Sequence, residues 1–369
     1  LQTGGWRGAQ GLAEDVRYYG RWMRDEAERR IGHLYPKVML PPGHGDGEAT
    51  VIAWLWARTV KCPNPACGAE MPLVRSFALS TKKGKQAWVE PIVDHAARTV
   101  RFEVRTEAGL APEGTVNRRG ARCIVCGGNV AFEHIRSESQ AGRMSAQLMA
   151  IVAEGQRRRT YVAPSDEHAY VAASANPTWA PESDLPEKAL GFRVQAYGMT
   201  KHRDLYTDRQ LVALTTFSDL VAEAREHVLA DAFAADLPAG PSVSEASPDD
   251  SATASSYADA VATFLACAVS RLVDYSNNLT TWNETNENVR NLFQRQAVPM
   301  VWDFSEANVV DGDLTIAKTA EWVASSLALV CASSAGEITV RQLDARRALP
   351  SDVAVLVSTD PPYYDNIGY

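Results

Sequence analysis

Two cysteine pairs constrain this chain more than any other feature. The segments Cys62-Pro63-Asn64-Pro65-Ala66-Cys67-Gly68 and Cys123-Ile124-Val125-Cys126-Gly127-Gly128 each set two thiols a few residues apart and follow the second with glycine. A tetrahedral zinc ion takes four thiolates from two tight turns, and a glycine lets each turn fold back with its amides toward the sulfurs. Four thiolates leave no open coordination position, so Zn2+ bound by Cys62, Cys67, Cys123 and Cys126 is expected to be structural. Fifty-five residues lie between Cys67 and Cys123, which predicts an inserted hairpin or two within the ribbon. The alternatives are four unrelated buried cysteines or a redox pair at Cys123 and Cys126, although no helix N-terminus directly follows the second pair to activate a thiol. Cys267 and Cys331 sit in apolar helical runs and read as core residues. His95 and His134 read as surface or core side chains that could stand in for a cysteine ligand.

With 46% hydrophobic and 22% charged residues over 369 positions, the chain has material for two or three cores and is not a disordered protein. Its formal net charge of −8 gives no global attraction to a polyanion. Nucleic-acid contact must then come from local basic patches, for which Lys82-Lys83-Gly84-Lys85, Arg118-Arg119 and Arg157-Arg158-Arg159 are candidates, each of which taken alone also reads as a solvated turn. No run approaches the roughly 18 apolar residues of a membrane span, and the start lacks the pattern of a signal peptide, so a cytoplasmic location without membrane contact is the expectation. A start at Leu1 and a stop at Tyr369 read as cuts through a longer protein.

Periodicity predicts an amphipathic helix over 13–31, a strand over 50–60, strands over 73–79 and 99–106 joined through the turn near Gly84, and a helix over 141–157. A Pro-rich, poorly periodic stretch covers 164–186. Thr207-Asp208-Arg209-Gln210 fits a capping box opening a long helix, and a second long helix over 257–275 follows a Pro-, Ser- and Asp-rich connection at 237–256, so the two helices are expected to form an antiparallel hairpin. A helix over 314–330 and apolar strands at 338–342 and 353–357 complete the grammar of an α/β sheet.

The strand at 353–357 runs into Asp360-Pro361-Pro362-Tyr363-Tyr364. A carboxylate at Asp360 can accept one hydrogen of an exocyclic amine and stabilise the charge that develops on it, while the carbonyl of Pro361 accepts the other. Pro361 and Pro362 fix φ and stiffen the loop, and Tyr363 offers a face on which a flipped base can stack. An ordinary turn also uses Asp-Pro-Pro. Asp344, at the end of the preceding strand, suits either a contact to a cofactor adenine or a helix N-cap.

The combination of four-cysteine ribbon and late D-P-P-Y resembles the adenine-specific DNA methylases that contain a zinc ribbon. The stretches Ala13-Glu14-Asp15-Val16-Arg17-Tyr18-Tyr19-Gly20, Cys62 to Leu73, Trp282 to Asn291 and Phe293 to Phe304 are similar to that family as well. The resemblance implies an α/β fold: a partial Rossmann-like methyltransferase sheet with an inserted β zinc ribbon and a helical middle region. It divides the chain into an N-terminal helical segment (1–49), the ribbon insertion (50–137), a helical region (138–310) and a C-terminal part of the sheet carrying the motif (311–369). It implies methyl transfer from S-adenosylmethionine to adenine N6 in DNA by base flipping, with Asp360, Pro361, Pro362 and Tyr363 catalytic and Asp344 at the cofactor. It also implies DNA and other restriction or defence-system proteins as partners. The glycine-rich loop that such enzymes fold around the methionine part of the cofactor has no counterpart here. That loop is expected upstream of Leu1, and these residues by themselves are expected to be inactive. Rival readings are a non-catalytic nucleic-acid or protein interaction module, and an amino-methyltransferase acting on RNA or on cytosine N4.

Overall fold

A computed structural model describes residues 9–43, 47–107, 109–155, 158–187, 191–240, 253–294 and 297–330. Asp344, Cys331, Asp360, Pro361, Pro362 and Tyr363, the strands expected at 338–342 and 353–357, and residues 241–252 of the expected connection lie outside the described residues.

The described residues form a mixed α/β protein with six α-helices and several small sheets. Helix α1 spans Gln10–Ile31 and strand β1 spans Val51–Lys61. Every residue of β1 from Val51 to Val60 is buried, because its β-branched and aromatic side chains are covered on both faces. Then come β2 (Glu70–Leu73), β3 (Ala78–Ser80), β4 (Ala87–Asp94), β5 (Thr99–Arg105), β6 (Val116–Asn117), β7 (Gly120–Arg122) and β8 (Asn129–Val130). Helix α2 (Phe132–Gln140), strands β9 (Ser145–Glu154) and β10 (Arg159–Val162), and helices α3 (Asp166–Ala173), α4 (Asp208–Ala234) and α5 (Ala254–Val273) follow, with β11 (Asp303–Ala307) and α6 (Ile316–Val330) last.

The central sheet runs β10-β9-β1-β11, and every pairing in it is antiparallel. One edge of β1 is shared: Ala53 to Ala57 pair with β11, and Arg58 to Lys61 pair with β2. The hairpin that carries the first cysteine pair therefore grows directly out of the central strand. On one face of the sheet Leu55 and Met149 meet Leu79 and Val89 of the small β3-β4-β5 sheet. On the other face Trp54 and Trp56 meet Arg209 and Phe304.

Helices α1, α4, α5 and α6 form the helical layer. The buried residues of α1, among them Ala13, Val16, Met23 and Ala27, recur every three or four positions, as a helix with one covered face requires. Gly20 allows α6 to approach, since a Cβ there would lie 2.4 Å from the Cβ of Ala320. Arg17 of α1 pairs with Glu321 of α6 at 2.7 Å, and Arg30 pairs with Glu223 of α4 at 2.7 Å. The capping box at Thr207 is present, with Gln210 N–H donating to the Thr207 side chain. Thr253 caps α5 in the same way through Ser256. Helices α4 and α5 are antiparallel: Ala254 N–H bonds Pro238 O where one ends and the other begins, and Asn278 N–H bonds Leu205 O at their opposite ends.

The span 141–157, expected as a helix, holds strand β9 instead. Its continuous apolar core, Leu148 to Ala153, is buried on both faces, and a helical and a buried-strand reading of such a run look alike until the partners on either side are known. The strand expected at 73–79 is two, β2 and β3, because the chain leaves the central sheet after Leu73. Strand β4 was not expected; Pro91 in its middle disguises it. Cys267, expected in the core, is exposed on α5, where Leu265 and Ala268 take the buried positions. Helix α5 is long and apolar enough to cross a membrane by length and composition, contrary to the expectation that no run approaches such a span; its buried face packs on α1, α4 and α6.

A buried ion pair fastens α4 to the sheet. Arg209 donates to Glu306 twice, Nε to Oε1 at 3.1 Å and Nη2 to Oε2 at 2.7 Å, and both side chains are fully buried. Trp56 Nε1 and Thr207 Oγ1 donate to the same carboxylate, and the Arg209 guanidinium lies 3.9 Å over the Trp54 ring. Trp54 Nε1 in turn donates to His168 Nδ1 at 2.9 Å, and burial holds that imidazole below the ordinary histidine range.

Candidate metal centre

The first cysteine pair occupies the loop of the β1–β2 hairpin and the second the loop of the β7–β8 hairpin, so each thiol sits at or near a strand end. In the first loop, Cys67 N–H and Gly68 N–H both bond Asn64 O, and Ala66 N–H bonds the Asn64 side chain. Gly68 has φ of +60°, the left-handed conformation that closes the turn. The second loop repeats the device: Gly127 N–H bonds Cys123 O, Cys123 N–H bonds Gly128 O, and Gly127 has φ of +74°. The glycines that the sequence places after each pair are thus the residues that turn the loops.

The hairpins dock through backbone. The Thr115 hydroxyl, just before β6, accepts from Val74 N–H just after β2 and donates to Pro72 O within it. Gly114 has no room for a side chain, since a Cβ there would lie 2.2 Å from Arg75 O. This close approach brings the two cysteine loops face to face.

All four Sγ atoms lie within 4.8 Å of one another. Cys62 and Cys126 are 3.7 Å apart and Cys67 and Cys123 are 3.9 Å apart. Four sulfurs held at ~2.3 Å from a tetrahedral centre would be roughly 3.8 Å from each other. The separations match that arrangement and are far beyond a disulfide bond. Burial, together with the neighbouring thiols, pushes the Cys62 thiol up to about 12, whereas the Gly128 amide beside Cys126 draws that exposed thiol down to about 7. Four thiols this close cannot all ionise without a cation among them, so the donor set fits a metal ion.

The structure brings together all four cysteines expected as ligands. Neither histidine considered as a substitute joins them: His134 Nε2 lies 2.8 Å from Lys61 O, supporting the first loop from α2, and His95 is exposed in the β4–β5 turn. The residues expected for catalysis and for the cofactor, Asp360 to Tyr363 and Asp344, lie outside the described residues. Two supporting residues escaped the sequence reading. Asn64, framed by two prolines, is a recognisable turn-former, whereas nothing local marks Thr115 as the clasp between loops. Compared with known proteins, the chain matches no family model and shows no significant similarity to a curated protein or a solved structure.

Proposed function

We propose that this chain is part of an S-adenosylmethionine-dependent DNA adenine-N6 methyltransferase in which Cys62, Cys67, Cys123 and Cys126 hold a structural zinc ion. The observation that carries the reading is the joint presence of a complete four-cysteine centre and the Asp360-Pro361-Pro362-Tyr363 sequence after an apolar run. The enzymatic half of the reading rests on sequence. Zinc is favoured among metals because four thiolates in a tetrahedral array are its ordinary structural set, and iron bound by four cysteines is the competitor that metal analysis separates.

S-adenosylmethionine, when bound, supplies the electrophilic methyl group. Asp360 would accept one hydrogen of the adenine amine, and the Pro361 carbonyl the other, so that the nitrogen lone pair faces the methyl group. The positive charge that develops on nitrogen is then stabilised by the Asp360 carboxylate. Tyr363 would stack on the extruded base. Asp344 is assigned to the cofactor adenine.

The test is transfer of labelled methyl to duplex DNA by the protein in its complete reading frame. Asp360→Ala is expected to slow transfer on the order of a hundred- to a thousandfold, about 2.7–4 kcal/mol of transition-state stabilisation, with zinc content and melting unchanged. Tyr363→Phe keeps the stacking face and is expected to be milder than Tyr363→Ala. An Asp360→Ala protein as fast as its parent removes the catalytic assignment and leaves an interaction module built on the metal centre.

A further inference from the structure

Two of the three basic turns in the sequence come together on one surface. Lys82 and Lys85 of the first turn and Arg158 and Arg159 of the second line a common cleft of about 480 Å³, between the small β3-β4-β5 sheet and the β9–β10 edge of the central sheet. The pair Arg118-Arg119 lies in the β6–β7 turn and does not line it. The lining sets Lys82, Lys85, Arg158 and Arg159 against Glu154 and Glu287, so in a chain of net charge −8 the cleft is locally positive.

One residue ties the turns together. Glu287, buried in the loop of a hairpin at 282–289, accepts from Lys82 Nζ at 2.5 Å and from Tyr161 OH at 3.0 Å, while its backbone carbonyl accepts from Arg159 Nε at 3.4 Å. Burial pushes the Glu287 carboxyl up, but hydrogen bonds from Lys82, Tyr161 and Ser80 outweigh it and the net shift is down, so the carboxylate is a charged anchor. Its φ of +57° is left-handed, a conformation that a glutamate adopts only under surrounding constraint. Lys82 is thereby neutralised by Glu287, and Arg159 by Asp313. Among the described residues, Lys83, Lys85 and Arg158 are exposed and have no acidic partner within ion-pair distance.

We propose that this cleft binds the phosphate backbone of duplex DNA, with Lys85 and Arg158 of its lining, and Lys83 exposed between Lys82 and Lys85 in the same turn, contacting phosphates, and with Lys82, Arg159 and Glu287 positioning them. No apolar side chain lines the cleft, so it offers a protein partner no core to bury. It offers an unpaired base no stacking platform either, since Tyr161, the aromatic residue beside it, is buried with its hydroxyl engaged. What remains is charge aimed at a regular polyanion, which binds without regard to sequence and gives way to salt. The choice of DNA among polyphosphates rests on the proposed function; the cleft itself rests on the two turns.

The experiment titrates a labelled duplex with the 369-residue chain by fluorescence anisotropy over a range of KCl concentrations. Each lost phosphate contact lowers the slope of log K against log salt by ~0.9. The triple variant Lys83→Glu, Lys85→Glu, Arg158→Glu is expected to weaken binding of every duplex sequence and to flatten the slope by roughly 2.7. Arg118→Glu with Arg119→Glu, which reverses two charges away from the cleft, is expected to bind as the parent does. If the reversals compromise folding, judged by melting and metal content, the pair Lys85→Ala and Arg158→Ala should flatten the slope by roughly 1.8. The proposal is overturned if the chain fails to bind duplex, if the cleft variants match the parent, if the Arg118 and Arg119 variant loses as much as the triple, or if single-stranded DNA or RNA binds more tightly than duplex. A protein that binds through the cleft yet transfers no methyl group keeps the cleft and loses the enzymatic reading, and a protein that methylates DNA with an unaffected triple variant does the reverse.

Discussion

Cys123→Ser is expected to abolish metal binding, taking the metal content from about one equivalent per chain to near none. Cys123 is fully buried and sits 3.9 Å from Cys67 Sγ of the facing loop. A serine hydroxyl does not ionise at neutral pH and is a poor ligand for a soft thiolate site, so three sulfurs would be left without a closed shell. In small zinc domains the metal contributes ~10–16 kcal/mol, and the share felt here should be a fraction of that, since β1 is also held by β9 and β11. The loss should begin at the loops: Pro63 to Ala66 should become a protease site before the helical layer opens. Cys126→Ser, altering the exposed ligand, should disturb the packing less than Cys123→Ser while still releasing metal. Unchanged metal content in the Cys123→Ser protein would remove the four-cysteine assignment.

Glu306→Ala should destabilise the fold by about 3–5 kcal/mol, because it leaves the Arg209 charge buried without its partner. The remaining contacts of that guanidinium, the Leu34 carbonyl at 3.1 Å and the faces of Tyr35 and Trp54, do not neutralise it. The double variant Arg209→Met with Glu306→Leu removes both charges together and should recover most of the loss, since a buried pair often contributes little net stability over apolar residues of similar size. Urea denaturation of the single and double variants measures this. A double variant no more stable than Glu306→Ala would mean that side-chain packing around Glu306, and not the orphaned charge, sets the cost.

The four-cysteine cluster was legible in the sequence because its geometry is local. Each pair of cysteines spans a single hairpin loop, and the glycines that turn those loops stand next to the ligands in the chain. Helix α1 and the capped start of α4 were legible for the same reason, through periodicity and the Thr207 box. Strand β9 was not, because an apolar run buried on both faces carries no period, and its identity is set by β1, about ninety residues earlier in the chain. The Arg209–Glu306 pair was hidden likewise: Arg209 looked like an ordinary first-turn residue, and its partner lies 97 positions away. Two of the basic turns were visible one at a time, but what joins them is Glu287, a residue that no motif marks.

The described central sheet is antiparallel throughout, whereas a Rossmann-like methyltransferase sheet is mainly parallel. In the proposed account the antiparallel sheet and the metal centre build the platform that holds DNA, and the transfer chemistry belongs to the segment around Asp360. The measurement that tests this most directly is nucleoside analysis of duplex DNA incubated with S-adenosylmethionine and the protein in its complete reading frame. The account predicts N6-methyladenine as the product, formed at a rate that collapses in Asp360→Ala; N4-methylcytosine in its place, or DNA left unmethylated by a folded protein with its metal bound, would contradict it.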